Sequence, residues 1–264
     1  MNQSKDYQDP TYLKKTQYKD SSNLDARAEL HRRFSTAVFN WHEWVFDHLD
    51  LQPNSRILEC GCGPGWLWRE NLERIPAGCS ITLTDLSAGM VDEAEAALAD
   101  SDHNFTFRTA NIEELSFADG EFDIIIANHM LYHVPDLDKG LGEVRRVLGK
   151  NGRFYTATNG ETHMQELRAL RDMAQTVLWN LSFRLENGRN LLAPHFNDIT
   201  LDLYADSLEV TEVDPLMNYL LSMKQISSAD WEDGVRQARR EVERVIGENG
   251  RYYITKSSGL FTAW

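Results

Sequence analysis

The sequence predicts an α/β fold built on a parallel sheet with crossover helices. After residue 55, short apolar runs typical of strands alternate with stretches of helical periodicity. The predicted strands are residues 56–59, 80–84, 105–109, 122–127 and 153–158. The 264 residues are enough for one such domain with a full-sized core, and no internal repeat or low-complexity tract argues for another architecture.

The N-terminal part is predicted to form an arm and a lid. Residues 1–20 carry tyrosines among charged residues without helical or strand periodicity, which is typical of an extended arm. From residue 24 to residue 49, apolar side chains recur every three or four positions, so we expect one amphipathic helix that ends before Pro53. We therefore divide the chain into an arm and lid helix (1–50), a core (51–160), and a cap segment with final strands of the same sheet (161–264).

The other helices follow from capping and periodicity. Ser87 is a good N-cap for a helix over residues 87–99, and leucines and valines at helical spacing predict another over 137–148. Beyond residue 161 we expect a long helix reaching residue 181 and a charged helix over about 229–246. Strand-like runs lie at 199–204, 208–213 and 252–263.

Charge and composition exclude several function classes. There are 27 lysines and arginines against 41 aspartates and glutamates, a net charge of −14, which opposes broad binding to nucleic acid or anionic lipid. No apolar run is long enough to cross a membrane and no signal peptide is recognisable, so we expect a cytoplasmic protein. The cysteines Cys60, Cys62 and Cys79 complete neither a disulfide framework nor a zinc pattern, and no metal site is predicted.

The residues that indicate a ligand follow the first strand. That strand ends in Glu59, and glycines at alternate positions (61, 63 and 65) lead into the next helix. Glycine permits positive φ and close approach of the backbone, so a ligand can lie at the carboxyl end of this strand. A tight turn without a ligand is the simpler alternative.

The spacing of the glycines distinguishes two classes of ligand. Dinucleotide enzymes also use glycines here, with an acid about twenty residues later that holds ribose hydroxyls, and Asp85 meets that condition for either class. However, Trp66 stands where the dinucleotide motif has its third glycine, and Glu59 suits a cationic group better than a pyrophosphate.

At this point the sequence resembles the class I S-adenosylmethionine (SAM)-dependent methyltransferases, in the small-molecule branch related to the ubiquinone and menaquinone biosynthesis enzymes. The resemblance rests on motifs in family order: LECGCGPG at 58–65, TDLSAGM at 84–90, NIEEL at 111–115, FD at 122–123, LYHVPD at 131–136 and EVRRVL at 143–148. It implies a doubly wound, Rossmann-like sheet of seven strands, mostly parallel with an antiparallel last strand, and a helical lid and cap. We assign residues 208–213 and 252–263 to the final two strands.

The resemblance also implies SAM as the cofactor and a small-molecule acceptor at an oxygen, nitrogen or carbon atom. The glycine loop would cradle the methionine part of SAM, Asp85 would hold the ribose, and other residues would surround the adenine and the ammonium group. The cofactor-binding residues are expected to be Glu59, Gly61, Cys62, Gly63, Gly65, Asp85, Leu86, Met90, Asn111, Ile112, Asn128 and His129. Asn111 departs from the acid usual at its position, but its amide still offers a hydrogen-bond acceptor.

Catalysis by such an enzyme requires alignment and exclusion of water, and a base only when the acceptor must lose a proton. His133 is the best candidate base because an imidazole titrates near neutral pH; anchoring of the loop before Pro135 is the alternative. Tyr18 could close over the pocket from the arm, and His163 could contact the acceptor. For each of these two, a purely surface position is the competing interpretation.

Two rival functions stay open on the sequence alone. One is a nicotinamide-dependent oxidoreductase, disfavoured by Trp66 and Glu59. The other is a non-catalytic SAM-binding regulator, which would keep the glycines and Asp85. The sequence does not indicate the oligomeric state.

Overall fold

The computed structural model describes residues 8–13, 19, 22–173, 181–222 and 231–264. Its centre is a seven-stranded sheet in the order β3-β2-β1-β4-β5-β9-β6. Strands β1 to β5 pair in parallel, whereas β9 runs antiparallel between β5 and β6. The predicted α/β fold, mostly parallel with an antiparallel last strand, is confirmed. The sheet strands are β1 (Arg56–Cys60), β2 (Ser80–Asp85), β3 (Asn104–Thr109), β4 (Phe122–Asn128), β5 (Leu148–Asn159), β6 (Ile199–Tyr204) and β9 (Ser258–Ala263).

Helices cover both faces of the sheet and build a cap over its carboxyl edge. Two further strands, β7 (Ser207–Val210) and β8 (Tyr252–Thr255), form an antiparallel ribbon. The described helices are α1 (Pro10–Tyr12), α2 (Ser22–Phe34), α3 (Trp41–His48), α4 (Trp66–Arg69), α5 (Ala88–Leu98), α6 (Leu137–Val147), α7 (Leu167–Met173), α8 (Leu185–Leu192), α9 (Val213–Leu221) and α10 (Trp231–Asn249). Single 3-10 turns lie at Leu72–Arg74 and Leu131–His133.

Three apolar clusters hold these layers together. One face of the sheet packs on α6 and α8 around Phe154, and the other packs on α3, α4 and α5 around Trp68. The third cluster joins α2, α7, α9, α10 and the ribbon around Leu30 and Leu216. Because this third core contains no strand of the main sheet, the cap has apolar packing of its own.

The predicted helix over residues 24–49 is wrong as a single element. The structure contains α2 and α3 instead, separated by an extended stretch in which Thr36 N donates to Ser207 O at 2.9 Å. Asn40 then caps α3 by accepting from Glu43 N at 2.9 Å. Pairing with the ribbon, together with this new cap, outweighs the continuous apolar periodicity.

The assignment of the last two strands is wrong for one of them, because only residues 258–263 of the two predicted runs join the main sheet. Residues 199–204 form β6 and residues 258–263 form β9, whereas residues 207–210 and 252–255 pair with each other in the ribbon. The break at Lys256 turns the chain from the ribbon into the sheet, so the expected single run over 252–263 belongs to two sheets.

Other helix bounds differ from the prediction. Residues 161–166 form turns, with Met164 in the left-handed region at φ 51°, so α7 begins only at Leu167. Residues 174–180 of the expected continuation and the expected start of α10 at residue 229 lie outside the described residues, and residue 181 is described and is not helical. Among the described helices, none combines the length and the apolar character needed to cross a membrane.

We predict that Gly65→Ala lowers the free energy of unfolding by about 1–3 kcal/mol. Gly65 has a left-handed φ of 74°, and a Cβ there would lie 3.3 Å from both Ala94 Cβ and Leu98 Cδ1 of α5. Urea denaturation measures the change. The matched control is Gly247→Ala, a helical site where a Cβ meets no atom within 4 Å and which should not be destabilised. Equal stability of Gly65→Ala and the wild type would contradict the argument.

Candidate active site

The glycine turn after β1 is held against the end of β2 by backbone hydrogen bonds. Gly61 N and Cys62 N both donate to Thr84 O, at 2.7 and 3.0 Å. Gly63 N donates to Asp85 Oδ2 at 3.1 Å, and Ser87 N donates to Asp85 Oδ1 at 2.8 Å. These contacts fix the turn and orient the Asp85 carboxylate at the carboxyl edge of the sheet.

The first two glycines of this turn make it accessible to a ligand. Gly61 has φ 71°, and a Cβ there would lie 2.8 Å from Met130 Cγ. Gly63 has φ 54°, and a Cβ there would meet no atom within 4 Å. The backbone at Gly63 therefore faces open space that a ligand can occupy. Gly65 is different because it lies outside the cavity lining and packs on α5, so its predicted contact with a cofactor gains no support from the geometry.

Asp85 and Glu59 are the two acidic side chains beside the turn. Burial raises the pKa of Asp85, although the amides of Ser87 and Gly63 lower it in part. Glu59 is 3% exposed and accepts a 2.7 Å hydrogen bond from Trp68 Nε1. Burial raises the pKa of Glu59 to about 8, so at neutral pH this group is mostly a neutral carboxyl. Repulsion of a pyrophosphate by Glu59 is therefore weaker than the sequence suggested.

One cavity of about 1500 Å³ brings nearly all the predicted site residues together. This volume exceeds the range of roughly 300–1,000 Å³ typical of sites for a single small ligand. Its lining includes these predicted cofactor residues: Glu59, Gly61, Cys62, Gly63, Asp85, Leu86, Met90, Asn111, Ile112, Asn128 and His129. His133 and His163 line the same cavity. The volume and the lining fit a cofactor and a second molecule side by side.

The side of the cavity near β3 suits a flat apolar group. Met90 and Ile112 are buried, and Leu86 follows Asp85 at the same edge. Asn111 is exposed, and its Oδ1 accepts from Glu113 N at 3.1 Å while its Nδ2 donates to Glu113 Oε2 at 3.2 Å. The Asn111 side chain is thus held by its neighbour, which limits its freedom to turn toward a ligand.

The end of β4 contributes an unsatisfied polar atom. Asn128 Oδ1 is buried and has no hydrogen-bond partner among the described residues. A buried acceptor without a partner is uncommon and is explained when a ligand supplies the donor. His129 follows in the left-handed region at φ 52° and contacts the Trp41 ring at 4.9 Å between centroids. Burial and the nearby Lys256 charge lower the pKa of His129 to about 3, so the imidazole is neutral.

The histidines predicted to act on the acceptor occupy different positions. His133 lies in the 3-10 turn after β4, is buried, and packs against the Tyr132 ring at 4.6 Å. His163 Nδ1 accepts from Ser257 N at 3.2 Å. Burial, reinforced by the Lys256 charge, lowers the pKa of His163 well below 6.5. Tyr18 lies outside the described residues.

Sequence reasoning missed most of the lining contributed by the cap. Lys256 and Asp206 form a buried ion pair at 3.0 Å, and Arg184 pairs with Glu161 at 2.6 Å. Arg168 and Arg171 of α7 and Tyr219 of α9 also line the cavity. Trp41 of α3 lines the cavity as well. Isolated charged residues carry no motif, so the only available signal was a lysine inside an otherwise β-forming run at 252–263.

Comparison with known proteins agrees with this site. Residues 58–156 match the family model described as a methyltransferase domain. This stretch runs from β1 into β5 and contains the glycine turn, Asp85, Asn128 and His133. The resemblance drawn from the sequence motifs is confirmed.

The curated relatives share part of their length with this chain. A malonyl-[acyl-carrier protein] O-methyltransferase of Enterobacter lignolyticus is 33% identical over 143 residues, which are 53% of this chain and 50% of that protein. A ubiquinone/menaquinone biosynthesis C-methyltransferase of Citrifermentans bemidjiense is 30% identical over 116 residues, 43% of this chain and 49% of that protein. The chain thus spans about half the length of these relatives.

Solved structures share the fold. The phosphoethanolamine N-methyltransferase 2 of Haemonchus contortus in complex with S-adenosyl-L-methionine superimposes with a TM-score of 0.60 at 18% identity, covering 97% of this chain and 59% of that one. The YcgJ protein from Bacillus gives 0.61 at 16% identity, covering 84% and 96%. These comparisons support neither the nicotinamide-dependent alternative nor the non-catalytic one.

We predict that Glu59→Gln changes how stability depends on pH. The glutamine keeps an oxygen for Trp68 Nε1 but cannot ionise. An unfolded glutamate ionises near pH 4.5 while folded Glu59 keeps its proton up to about pH 8. The stability contributed by protonated Glu59 is therefore complete below pH 4.5 and is lost as pH rises toward 8. The free energy of unfolding of the wild type minus that of the variant should fall across this interval.

Urea unfolding at several pH values between 4.5 and 8.5 measures this difference. The matched control is Glu73→Gln, which removes a carboxylate at an exposed position. A wild-type minus Glu59→Gln difference that stays constant over the interval would contradict a buried, protonated Glu59.

Proposed function

We propose that this chain, whose residues 58–156 match the model of a methyltransferase domain, transfers a methyl group from SAM to a small-molecule acceptor. The observation that carries the proposal is the single cavity that joins the glycine turn and Asp85 to the polar lining of the cap. A cavity confined to the turn would suit a cofactor alone. Cytoplasmic location and the lack of nucleic-acid binding stay predictions from the sequence.

The residues at the carboxyl edge of the sheet fit SAM. The backbone at Gly61 and Gly63 would lie against its methionine part, and the Asp85 carboxylate would accept from the ribose hydroxyls. Asn128 Oδ1, which has no partner among the described residues, is an acceptor suited to the ammonium group. The buried side chains of Met90 and Ile112 would contact the adenine.

When bound, SAM supplies an activated methyl group on a positively charged sulfur. The protein's task is to align the acceptor with that group and to keep water out. The cap performs the second task because α2, α7 and α9 pack into an apolar core of their own above the cavity. Tyr219 connects the cap core to the cavity, because its side chain belongs to that core and also lines the cavity.

An acceptor that must lose a proton requires a base, and the two histidines predicted for this role both line the cavity. His133 is the candidate on the β4 side of the cavity. On the cap side, His163 Nδ1 accepts from Ser257 N, so Nε2 carries the proton of the neutral ring. A base must receive a proton, so His163 is better suited to donate a hydrogen bond to the acceptor than to deprotonate it.

We expect Asp85→Ala to weaken binding of S-adenosylhomocysteine by about 1.5–3 kcal/mol, or roughly 10- to 150-fold, because two ribose hydroxyls lose a charged acceptor. Titration calorimetry measures the affinity. Asp85→Asn keeps one side-chain oxygen, so it should weaken the binding of S-adenosylhomocysteine less than Asp85→Ala does. Asp92→Ala, on the exposed face of α5, is the control. An unchanged affinity of Asp85→Ala would exclude the assigned cofactor site.

We expect His133→Gln to remove the rising limb of the pH–rate profile and to lower the rate by about 10²- to 10⁴-fold if His133 is the base. Initial rates with any accepted substrate, measured between pH 5 and 9, test this. If His163 were the base instead, its limb would lie well below pH 6.5 because burial lowers its pKa. His195→Gln, outside the cavity, is the control. A lower rate with an unchanged profile would assign His133 a positioning role.

A further inference from the structure

The part of the cavity formed by the cap is rich in cationic side chains. Six of them line it among the described residues: Arg27, Arg32, Arg168, Arg171, Arg184 and Lys256. Four carboxylates accompany them: Asp25, Glu29, Glu161 and Asp206. This excess of positive charge stands in a chain whose net charge is −14, so the cap lining has the opposite sign to the molecule as a whole.

Three of these carboxylates are engaged by cations of the same lining. Glu29 Oε2 accepts from Arg32 Nε at 3.1 Å. Asp206, which is 1% exposed at its side chain, accepts from Lys256 Nζ at 3.0 Å and from Ser35 Oγ at 2.7 Å. Glu161 Oε1 accepts from Arg184 Nη1 at 2.6 Å. None of these three carboxylates is therefore available to attract a cationic ligand.

The guanidinium of Arg184 is only partly satisfied. Its Nη1 binds Glu161, but its Nε is buried and has no hydrogen-bond partner among the described residues. Arg168 Nη2 donates to a neutral group, the Glu161 carbonyl oxygen, at 2.7 Å. An anion with two oxygens is the ligand that matches a guanidinium fork and would satisfy the orphaned Nε.

The histidines of this region respond to the same positive charge. Burial lowers the pKa of His31 and of His163, and the positive charge of Lys256 lowers both further. Lys256 Nζ lies 3.2 Å from His31 Nδ1. Arg27 acts on His31 and Arg171 acts on His163 in the same direction. Neutral imidazoles and fixed cations together make this wall electrostatically favourable to an anion.

We propose that the acceptor carries an anionic group, a carboxylate or a phosphate, which is bound by Arg184 with Arg168 and Arg171 at the cap side of the cavity. This inference rests on the proposed function, because it names the class of molecule that occupies the cavity beside SAM. The anionic group anchors the acceptor, while the atom that receives the methyl group points toward the glycine turn.

The test measures binding of three probes to the full chain saturated with S-adenosylhomocysteine. Phenyl phosphate, benzoate and neutral benzamide share one apolar ring and differ in the group attached to it. Titration calorimetry should detect an anionic probe binding at least tenfold more tightly than benzamide. The tighter of the two anions identifies phosphate or carboxylate as the preferred group.

Variants locate the bound anion. Arg184→Gln should reduce affinity for the preferred anion at least tenfold, and Arg184→Lys should restore part of it because the charge returns without the fork. Arg189→Gln, exposed on α8 and outside the lining, should match the wild type. If Arg184→Gln does not fold by its thermal melt, Arg168→Gln replaces it with the same expected loss.

The two proposals fail in different ways. Loss of S-adenosylhomocysteine binding by the wild type would overturn the proposed function before any probe is added. If S-adenosylhomocysteine binds but neither anion binds more tightly than benzamide, the acceptor is not anionic and only the further inference is overturned. Anion binding that is equal in Arg184→Gln, Arg189→Gln and the wild type would also overturn it.

Discussion

The site depends on the attachment of one strand end to its neighbour. The carbonyl oxygen of Thr84 accepts from two successive amides of the glycine turn, and the Thr84 hydroxyl donates to Glu59 O at 2.9 Å. These bonds join the ends of β1 and β2, and Asp85 continues the connection by accepting from Gly63. A side chain at Gly61 would push against Met130, so the turn can lie this close to β4 only without one. The open backbone at Gly63 and the orientation of Asp85 both follow from this attachment.

A second buried interaction joins the cap to the sheet. Lys256 lies at the turn between β8 and β9, and its partner Asp206 precedes β7 and accepts from Ser35 and Thr36 at the end of α2. Removing one member of such a pair leaves an uncompensated buried charge, which is strongly destabilising. The pair therefore links three segments that are far apart in the chain. It also brings a cation to the cavity beside His31, which connects the architecture of the cap to its electrostatic character.

The two ends of the cavity differ in chemistry, which suits two different ligands. The end at the glycine turn offers Asp85, the orphaned Asn128 Oδ1 and a carboxyl at Glu59, all of them acceptors or potential anions. The cap end offers guanidinium and ammonium groups, among them Arg184, whose Nε has no hydrogen-bond partner among the described residues. The glycine-turn end would hold a molecule that is cationic near its reactive centre. The cap end would hold a second molecule by an anionic group at its far end. The reactive parts of both molecules would then meet between the two ends of the cavity.

The sequence by itself determined the core of the fold and identified the residues at the glycine-turn end of the cavity. Strand and helix periods, the glycine turn and Asp85 are local signals, because neighbouring residues must satisfy the geometry of one turn or one element. Tertiary structure decided what local periodicity could not: where α2 breaks from α3, which late strands join the sheet, and that Gly65 packs on α5. It alone decided the cap wall, since Arg184 and Lys256 reach the cavity from segments about 70 residues apart. No local pattern specifies that meeting, because long-range packing and the pairing of buried charges determine it.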